Sequence, residues 1–209
     1  MSVELPAYLI GGGGQAVSLM ATGNVRIDGY VDCAPMANLE LPYAGTDAEF
    51  MASHPEGTAK IHIAIVAPRG CDMRLRTKLI AAYSGYEAFS IIASTAIVVA
   101  SSKIGAGCAI MHGAIVNGAE IGEHCVVNTG AIVEHGCRIG SNVFIGPGAV
   151  ICGGVEIGDN VFIGAGATVR NGVKICDSAA VAMGAVVTAD VTDSGLYCGV
   201  PAKRKEGVL

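Results

Sequence analysis

The chain has 209 residues, of which 52% are apolar and 15% charged, with 30 glycines, no tryptophan and a formal net charge of −5. So high an apolar fraction excludes a disordered chain, and the acidic balance excludes a nucleic-acid or anionic-membrane partner, since either needs a basic excess. No run reaches the ~20 apolar residues of a spanning helix, and Met1 to Ile10 lacks the basic start and long apolar stretch of an export signal, so no membrane contact and a cytoplasmic location are expected.

Leu5 to Ile10 predicts a strand, Gly11-Gly12-Gly13-Gly14-Gln15 a loop, and Ala16 onward a helix. Val25 to Val31 and Lys60 to Ala67 read as further strands, and Cys71 to Tyr83 as a helix in which Leu75, Leu79 and Ala82 recur at helical spacing. The alternation predicts a parallel α/β sheet over residues 1–92, Rossmann-like but only half of a dinucleotide-binding fold. A glycine loop between strand and helix offers backbone N–H groups to an anion and lets a phosphate approach closely. Gly11, Gly13 and Ala16 fit the loose G-x-G-x-x-G/A pattern, and Asp32 closes the next strand where a ribose carboxylate would sit. Gly11, Gly12, Gly13, Gly14, Gln15 and Asp32 are therefore the candidate nucleotide contacts, with a glycine turn chosen only for tight packing as the competing reading. His54, in a Ser-His-Pro turn, and His62, inside a strand, read as structural or surface residues.

From Ile97 onward the sequence repeats with a period of six, an aliphatic residue in the first place and a small or β-branched one in the fifth, as in Ile121/Cys125, Val133/Cys137, Ile139/Val143 and Ile157/Val161. Ile-Gly pairs at 121, 139 and 157 recur at every third hexapeptide, so three hexapeptides make one triangular coil. Residues 93–209 are thus predicted to be a hexapeptide solenoid with a C-terminal tail, in which positions one coil apart lie above one another at ~4.8 Å. The spacing from Ile104 to Ile121 is one position short of a full coil, which predicts a tightened corner around Asn117 to Glu120. The eight cysteines form no CxxC pair and fall at repeat positions, so reduced thiols are expected, with Cys125 and Cys137 in the core. The register puts His112, His124 and His135 on three different faces, so no metal site is expected within one chain.

In the same register Asn128 and His135 share a coil and Gly153 lies directly above His135, so the three are expected to form a compact constellation. Acyl transfer needs a base to take a proton from the attacking amine or hydroxyl and a donor to hold the oxyanion as the thioester carbonyl becomes tetrahedral. His135 and the Gly153 N–H suit these roles, since histidine ordinarily titrates near ~6.5.

The stretch Asn128-Thr129-Gly130-Ala131-Ile132-Val133-Glu134-His135, with Ile139-Gly140, the terminal Gly199-Val200-Pro201-Ala202-Lys203 and the glycine loop, resembles the hexapeptide-repeat sugar acetyltransferases of the bacillosamine, perosamine and sialic-acid pathways. The resemblance spans nearly the whole chain and implies a left-handed parallel β-helix, acetyl-CoA as co-substrate, a nucleotide-linked amino sugar as acceptor and a homotrimer with its site between subunits. It implies His135 as the base, Asn128 as its assistant and Gly153 against the thioester. It further implies Ala165 and Met183 along the pantetheine groove, and the basic Lys203 and Arg204 are the candidates for the CoA phosphates, with a merely solvated tail as the competing reading. The sequence departs from the family in having Gly136 after the base instead of an acid, Phe144 instead of a second histidine, and Gln15 instead of histidine at the end of the glycine loop. Glu134 is the remaining neighbouring carboxylate, although successive strand side chains point to opposite faces. The function expected is N-acetylation of a nucleotide-linked amino-deoxy sugar. O-acetylation of a sialic-acid-type sugar, a non-catalytic binding solenoid and a metalloenzyme are the rivals.

Overall fold

The structure, a computed structural model, describes residues 4–23, 25–66 and 71–206. Its N-terminal sheet comprises β1 (Ala7–Ile10), β2 (Gly29–Val31), β3 (Lys60–Ile63) and β4 (Glu87–Ala88), all parallel and in the order β2-β1-β3-β4. Helices α1 (Gly14–Met20), α2 (Asp47–Ser53) and α3 (Arg74–Ala82) connect them. The chain leaves β1 for β2 on one side and returns to β3 on the other, so a crevice opens at the carboxyl ends of the strands, where α/β sheets bind ligands. Ala67, the expected end of the third strand, lies outside the described residues.

β2 begins at Gly29 rather than at Val25, the short strand β4 is additional to the expected ones, and the helices differ from the sequence expectation in two further ways. Helix α2 is additional to the expected elements, although Thr46-Asp47-Ala48-Glu49 is a capping box: the Thr46 side chain accepts from the Glu49 N–H and the Glu49 carboxylate from the Thr46 N–H. Helix α3 forms as predicted, but Leu75 and Ala82 are exposed, and the buried positions along this stretch are Met73, Arg76 and Tyr83. The helix turns Arg76 inward, where its guanidinium finds four acceptors.

From Ile91–Ile92 onward the strands pair as three parallel sheets of eight, six and five members, apart from an antiparallel last strand. Their inner positions, including Cys125, Val127, Val133, Ile139, Ile145 and Ile151, fill one continuous core, as the hexapeptide pattern requires. Successive coils stack in a register of three hexapeptides, as in Val133↔Ile151↔Val169, except across 117–119, where the offset is one position shorter, as in Ile104↔Ile121, and at the last coil, where it is two positions shorter, as in Ala179↔Gly195. The tightened corner is where the missing residue put it.

The three outer faces have different chemistry. The domain-facing sheet points Ala109, Val126 and Phe144 into a core shared with Leu9, Ala16, Leu19 and Met73. The charged sheet carries Lys103, Glu120, Arg138, Glu156 and Lys174 in stacked alternation, with ion pairs Lys103–Glu120 (2.6 Å) and Lys174–Glu156 (3.1 Å). The apolar sheet turns Ile97, Ile115, Ile132, Val150, Thr168 and Val186 outward, and Ile97 is 57% exposed.

Candidate active site

The glycine loop closes the carboxyl end of β1, and its four glycines do different things. Gly11 has φ +107°, and a side chain there would collide with Ile65, while a Cβ on Gly12 would stand 2.7 Å from the Tyr30 ring. These two build the loop. A Cβ on Gly13 or Gly14 would meet nothing within 4 Å, and their N–H groups have no hydrogen-bond partner among the described residues. These two face the crevice. Asp32 fixes the loop by accepting from the Gly12 N–H (2.7 Å) and is held itself by the Cys33 N–H (2.7 Å). Burial pushes the Asp32 carboxyl up, but the Gly12 N–H and the thiol and N–H of Cys33 outweigh it and keep the group below the usual carboxylate range. The crevice has a volume of about 430 Å³ and lies between the two halves of the chain, with Gly13, Gly14, Gln15 and Asp32 on one wall and Asn128 and Phe144 on the solenoid side.

The solenoid has three edges. His135 and Gly153 lie on the edge between the apolar and charged sheets. His135 is exposed, and its imidazole rests against Gly153, where a Cβ would come within 2.9 Å of Cε1 and 3.0 Å of Nε2. Only glycine fits there with the ring in place. The Gly153 N–H has no partner among the described residues, while its carbonyl accepts from Gly172 (3.0 Å). A free N–H beside an exposed imidazole is the pair that acyl transfer requires. Glu134 is tied to Asn117, whose Nδ2 donates to its carboxylate (2.8 Å), and accepts from the His135 backbone N–H (3.4 Å). The carboxylate thus supports the strand that carries His135 and makes no bond to the imidazole among the described residues.

Asn128, Ala165 and Met183 lie on the next edge, between the domain-facing and apolar sheets. The Gly184 N–H donates to the Ala165 carbonyl (2.9 Å), so Ala165 and Met183 do stack, and Met183 is 77% exposed. Asn128 turns its Oδ1 to the Thr129 N–H (2.7 Å). Lys203 opens the last strand, just after Ala202, whose N–H reaches the Val186 carbonyl (2.7 Å) at the same end of the solenoid. Within one chain, therefore, Asn128 and His135 do not form the compact constellation expected from sharing a coil. Between them the chain crosses one whole face and reaches the next edge. Gly153 and Ala165 are divided in the same way, because two hexapeptides separate them and a full coil takes three.

Residues 118–153 and 136–171 match the bacterial transferase hexapeptide (six repeats) family, and residues 154–189 match the hexapeptide repeat of succinyl-transferase. None of the curated proteins matches the chain. Among solved structures, the chain is similar to PerB from Caulobacter crescentus, solved with CoA and GDP-perosamine, at 36% identity over 96% of this chain and 97% of that one, with a TM-score of 0.86. The chain belongs to the hexapeptide-repeat acetyltransferases. Two further structures of the Caulobacter perosamine N-acetyltransferase, each at 34% identity, have one histidine replaced by asparagine or by alanine. The acetyltransferase domain of PglB from Neisseria gonorrhoeae is similar at 27% identity over 97% of this chain and all of that one, with a TM-score of 0.87, and it has also been solved with acetyl coenzyme A. The α/β half domain followed by a left-handed parallel β-helix is the fold of this acetyltransferase.

The departures from the family pattern have visible consequences in this acetyltransferase. Phe144 is buried, stacks on Phe162 at 5.0 Å and gives the crevice an apolar floor. Gln15 sits 4.0 Å from the Met111 sulfur, so it links loop and solenoid. Gly136 has φ +70° and turns the corner after His135. His62 is fully buried and bonds through Nδ1 to the Phe89 carbonyl (3.0 Å), the structural role expected of it. Sequence reasoning misses the bond of Asn117 to Glu134 beside His135, and its one signal there is the place of Asn117 at the shortened corner.

Proposed function

We propose that this acetyltransferase moves the acetyl group of acetyl-CoA onto the amino group of a nucleotide-linked amino-deoxy sugar, with GDP-perosamine as the acceptor to test first. The observation that carries the reading is the His135 imidazole lying against Gly153 with its N–H open. The amine nitrogen attacks the thioester carbonyl carbon, His135 takes the ammonium proton, and the Gly153 N–H holds the oxyanion. Collapse breaks the carbon–sulfur bond and expels CoA as the thiolate, which takes up a proton, leaving an N-acetylated sugar. Gly13, Gly14 and Asp32 hold the nucleotide, Asn128 helps to place the amine, Ala165 and Met183 line the pantetheine path, and Lys203 meets CoA phosphate. The cysteines of the described residues are all free thiols, which agrees with action in the cytoplasm. No helix among the described residues is long and apolar enough to cross a membrane. Thiol release followed with GDP-perosamine and with its hydroxy analogue tests the acceptor. Turnover of the hydroxy analogue alone would make the protein an O-acetyltransferase.

The working unit is a homotrimer. The apolar sheet lies between the edge with His135 and Gly153 and the edge with Asn128, Ala165 and Met183. Packing that sheet around a three-fold axis covers its aliphatic stripe and brings the histidine edge of one subunit to the crevice edge of the next, a closed head-to-tail ring. Gly13→Val places its side chain in open crevice at an extended backbone position, φ −76° and ψ −164°, so the fold is unaffected. The KM for the sugar nucleotide is expected to rise roughly tenfold with the acetyl-CoA KM unchanged. Mixing Gly13→Val with His135→Ala subunits then tests the shared site. In random trimers about one site in four joins an intact histidine to an intact loop, so activity at low sugar concentration should recover to about a quarter of wild type. A site built within one chain gives no recovery on mixing.

A further inference from the structure

Arg76 is 1% exposed, yet no carboxylate lies within ion-pair distance of it among the described residues. Its guanidinium donates to four neutral acceptors: through Nη1 to the carbonyls of Ile63 (2.8 Å) and Ile65 (2.5 Å), through Nη2 to the His124 carbonyl (2.6 Å) and through Nε to Asn142 Oδ1 (2.9 Å). Burial pulls the group down to about 10, still cationic at neutral pH. Burial pulls His62 down to about 3 and holds His124 below the usual histidine range, and the neighbours that favour the guanidinium charge are the thiols of Cys125 and Cys108. A buried cation without a counter-ion is costly, and an apolar side chain of similar size would avoid that cost. Glue between two halves does not require a guanidinium, but the four acceptors show what only a planar fork can do. Two of them, Ile63 and Ile65, lie at the end of β3 and just beyond it, and two on the solenoid edge.

The two β3 acceptors matter for the site. Ile63 and Ile65 flank Ala64, which lines the crevice with Ile65, and the Ile65 side chain packs on Gly11 of the glycine loop. On the solenoid side, Asn142 lies just before the crevice floor Phe144. We propose that Arg76 is a positioning residue for the acceptor site, setting the distance between the loop wall and the solenoid floor of the crevice. The inference rests on the crevice binding the sugar nucleotide. It assigns Arg76 no contact with the reacting atoms.

Arg76→Lys keeps the charge but offers a compact ammonium that cannot span both pairs of acceptors. A small displacement of one wall is enough to weaken the acceptor by an order of magnitude or more. With GDP-perosamine and acetyl-CoA, Arg76→Lys is expected to raise the sugar KM roughly tenfold, leave the acetyl-CoA KM unchanged and keep kcat within about threefold. Asn142→Gly, tolerated because Asn142 has φ +54°, removes one acceptor without altering the backbone and should move the sugar KM in the same direction. It serves as the test if the lysine variant does not fold. Thr77→Val is the control, because Thr77 bonds to Asn142 (3.0 Å) and Asn160 (3.1 Å) from the same helix but touches no crevice wall. It should lower the melting temperature and leave both KM values alone. An unchanged sugar KM in Arg76→Lys, or an equal rise in Thr77→Val, overturns the positioning role. If Gly13→Val leaves the sugar KM unchanged, the crevice assignment itself fails; if Gly13→Val raises it and Arg76→Lys does not, only the role of Arg76 is lost.

Discussion

His135→Ala is expected to lower kcat by about 10²- to 10⁴-fold, the usual worth of general-base assistance, with the acetyl-CoA KM near normal. Folding should be untouched. The imidazole is exposed and makes no hydrogen bond among the described residues, and the coil is held by Val133 and Ile139, both buried. Removing an exposed side chain of this kind changes stability by no more than about 0.5 kcal/mol, so the melting temperature and the oligomeric state serve as controls. The pH profile separates a base from a merely well-placed ring. In the wild type, kcat/KM falls toward acid as the base becomes protonated. The amino group of the acceptor loses reactivity in the same direction, so the comparison decides: the limb that belongs to His135 must be missing from the residual activity of the alanine variant. A variant that keeps most of the wild-type kcat removes His135 from the chemistry.

The solenoid was legible in the sequence because its constraint is local and repeated. Every inner position of every coil must be aliphatic or small, so Ile121, Cys125, Val133 and Ile139 announce the core one hexapeptide at a time, and a single missing residue shows as the shortened offset at 117–119. Vertical neighbours were legible for the same reason, and the contact of His135 with Gly153 follows from counting three hexapeptides. Neighbours across an edge were not. Asn128 and His135 share a coil, but only the order of sheets around the triangle shows that a whole face separates them. Arg76 escaped notice because its acceptors at residues 63, 65, 124 and 142 are distant in sequence, and a helix judged by its leucines alone would bury Leu75. In the glycine loop the pattern identified four equivalent residues, whereas the packing of Ile65 and Tyr30 divides them into two that build the loop and two that face the crevice.

Gly153 supports the largest remaining effect, and its geometry dictates a paired experiment. Its proposed contribution is a backbone N–H, so replacing it by proline is the direct deletion, and loss of one oxyanion donor typically costs about 10²- to 10³-fold in kcat. Proline also brings a Cβ, and any Cβ at this position stands 2.9 Å from His135 Cε1 and 3.0 Å from Nε2. The ring would have to move, which alone would damage catalysis. Gly153→Ala introduces the same Cβ while keeping the N–H, so it measures the displaced base by itself. The alanine variant is expected to lose activity through His135, and the proline variant to lose roughly a further 10²-fold in kcat that the alanine variant does not share. Both substitutions keep the carbonyl at 153 that accepts from Gly172 (3.0 Å) in the wild type, and circular dichroism with the melting temperature checks that the coil persists. Equal kcat in folded alanine and proline variants would place the oxyanion on another donor and leave Gly153 with the single task of making room for the imidazole.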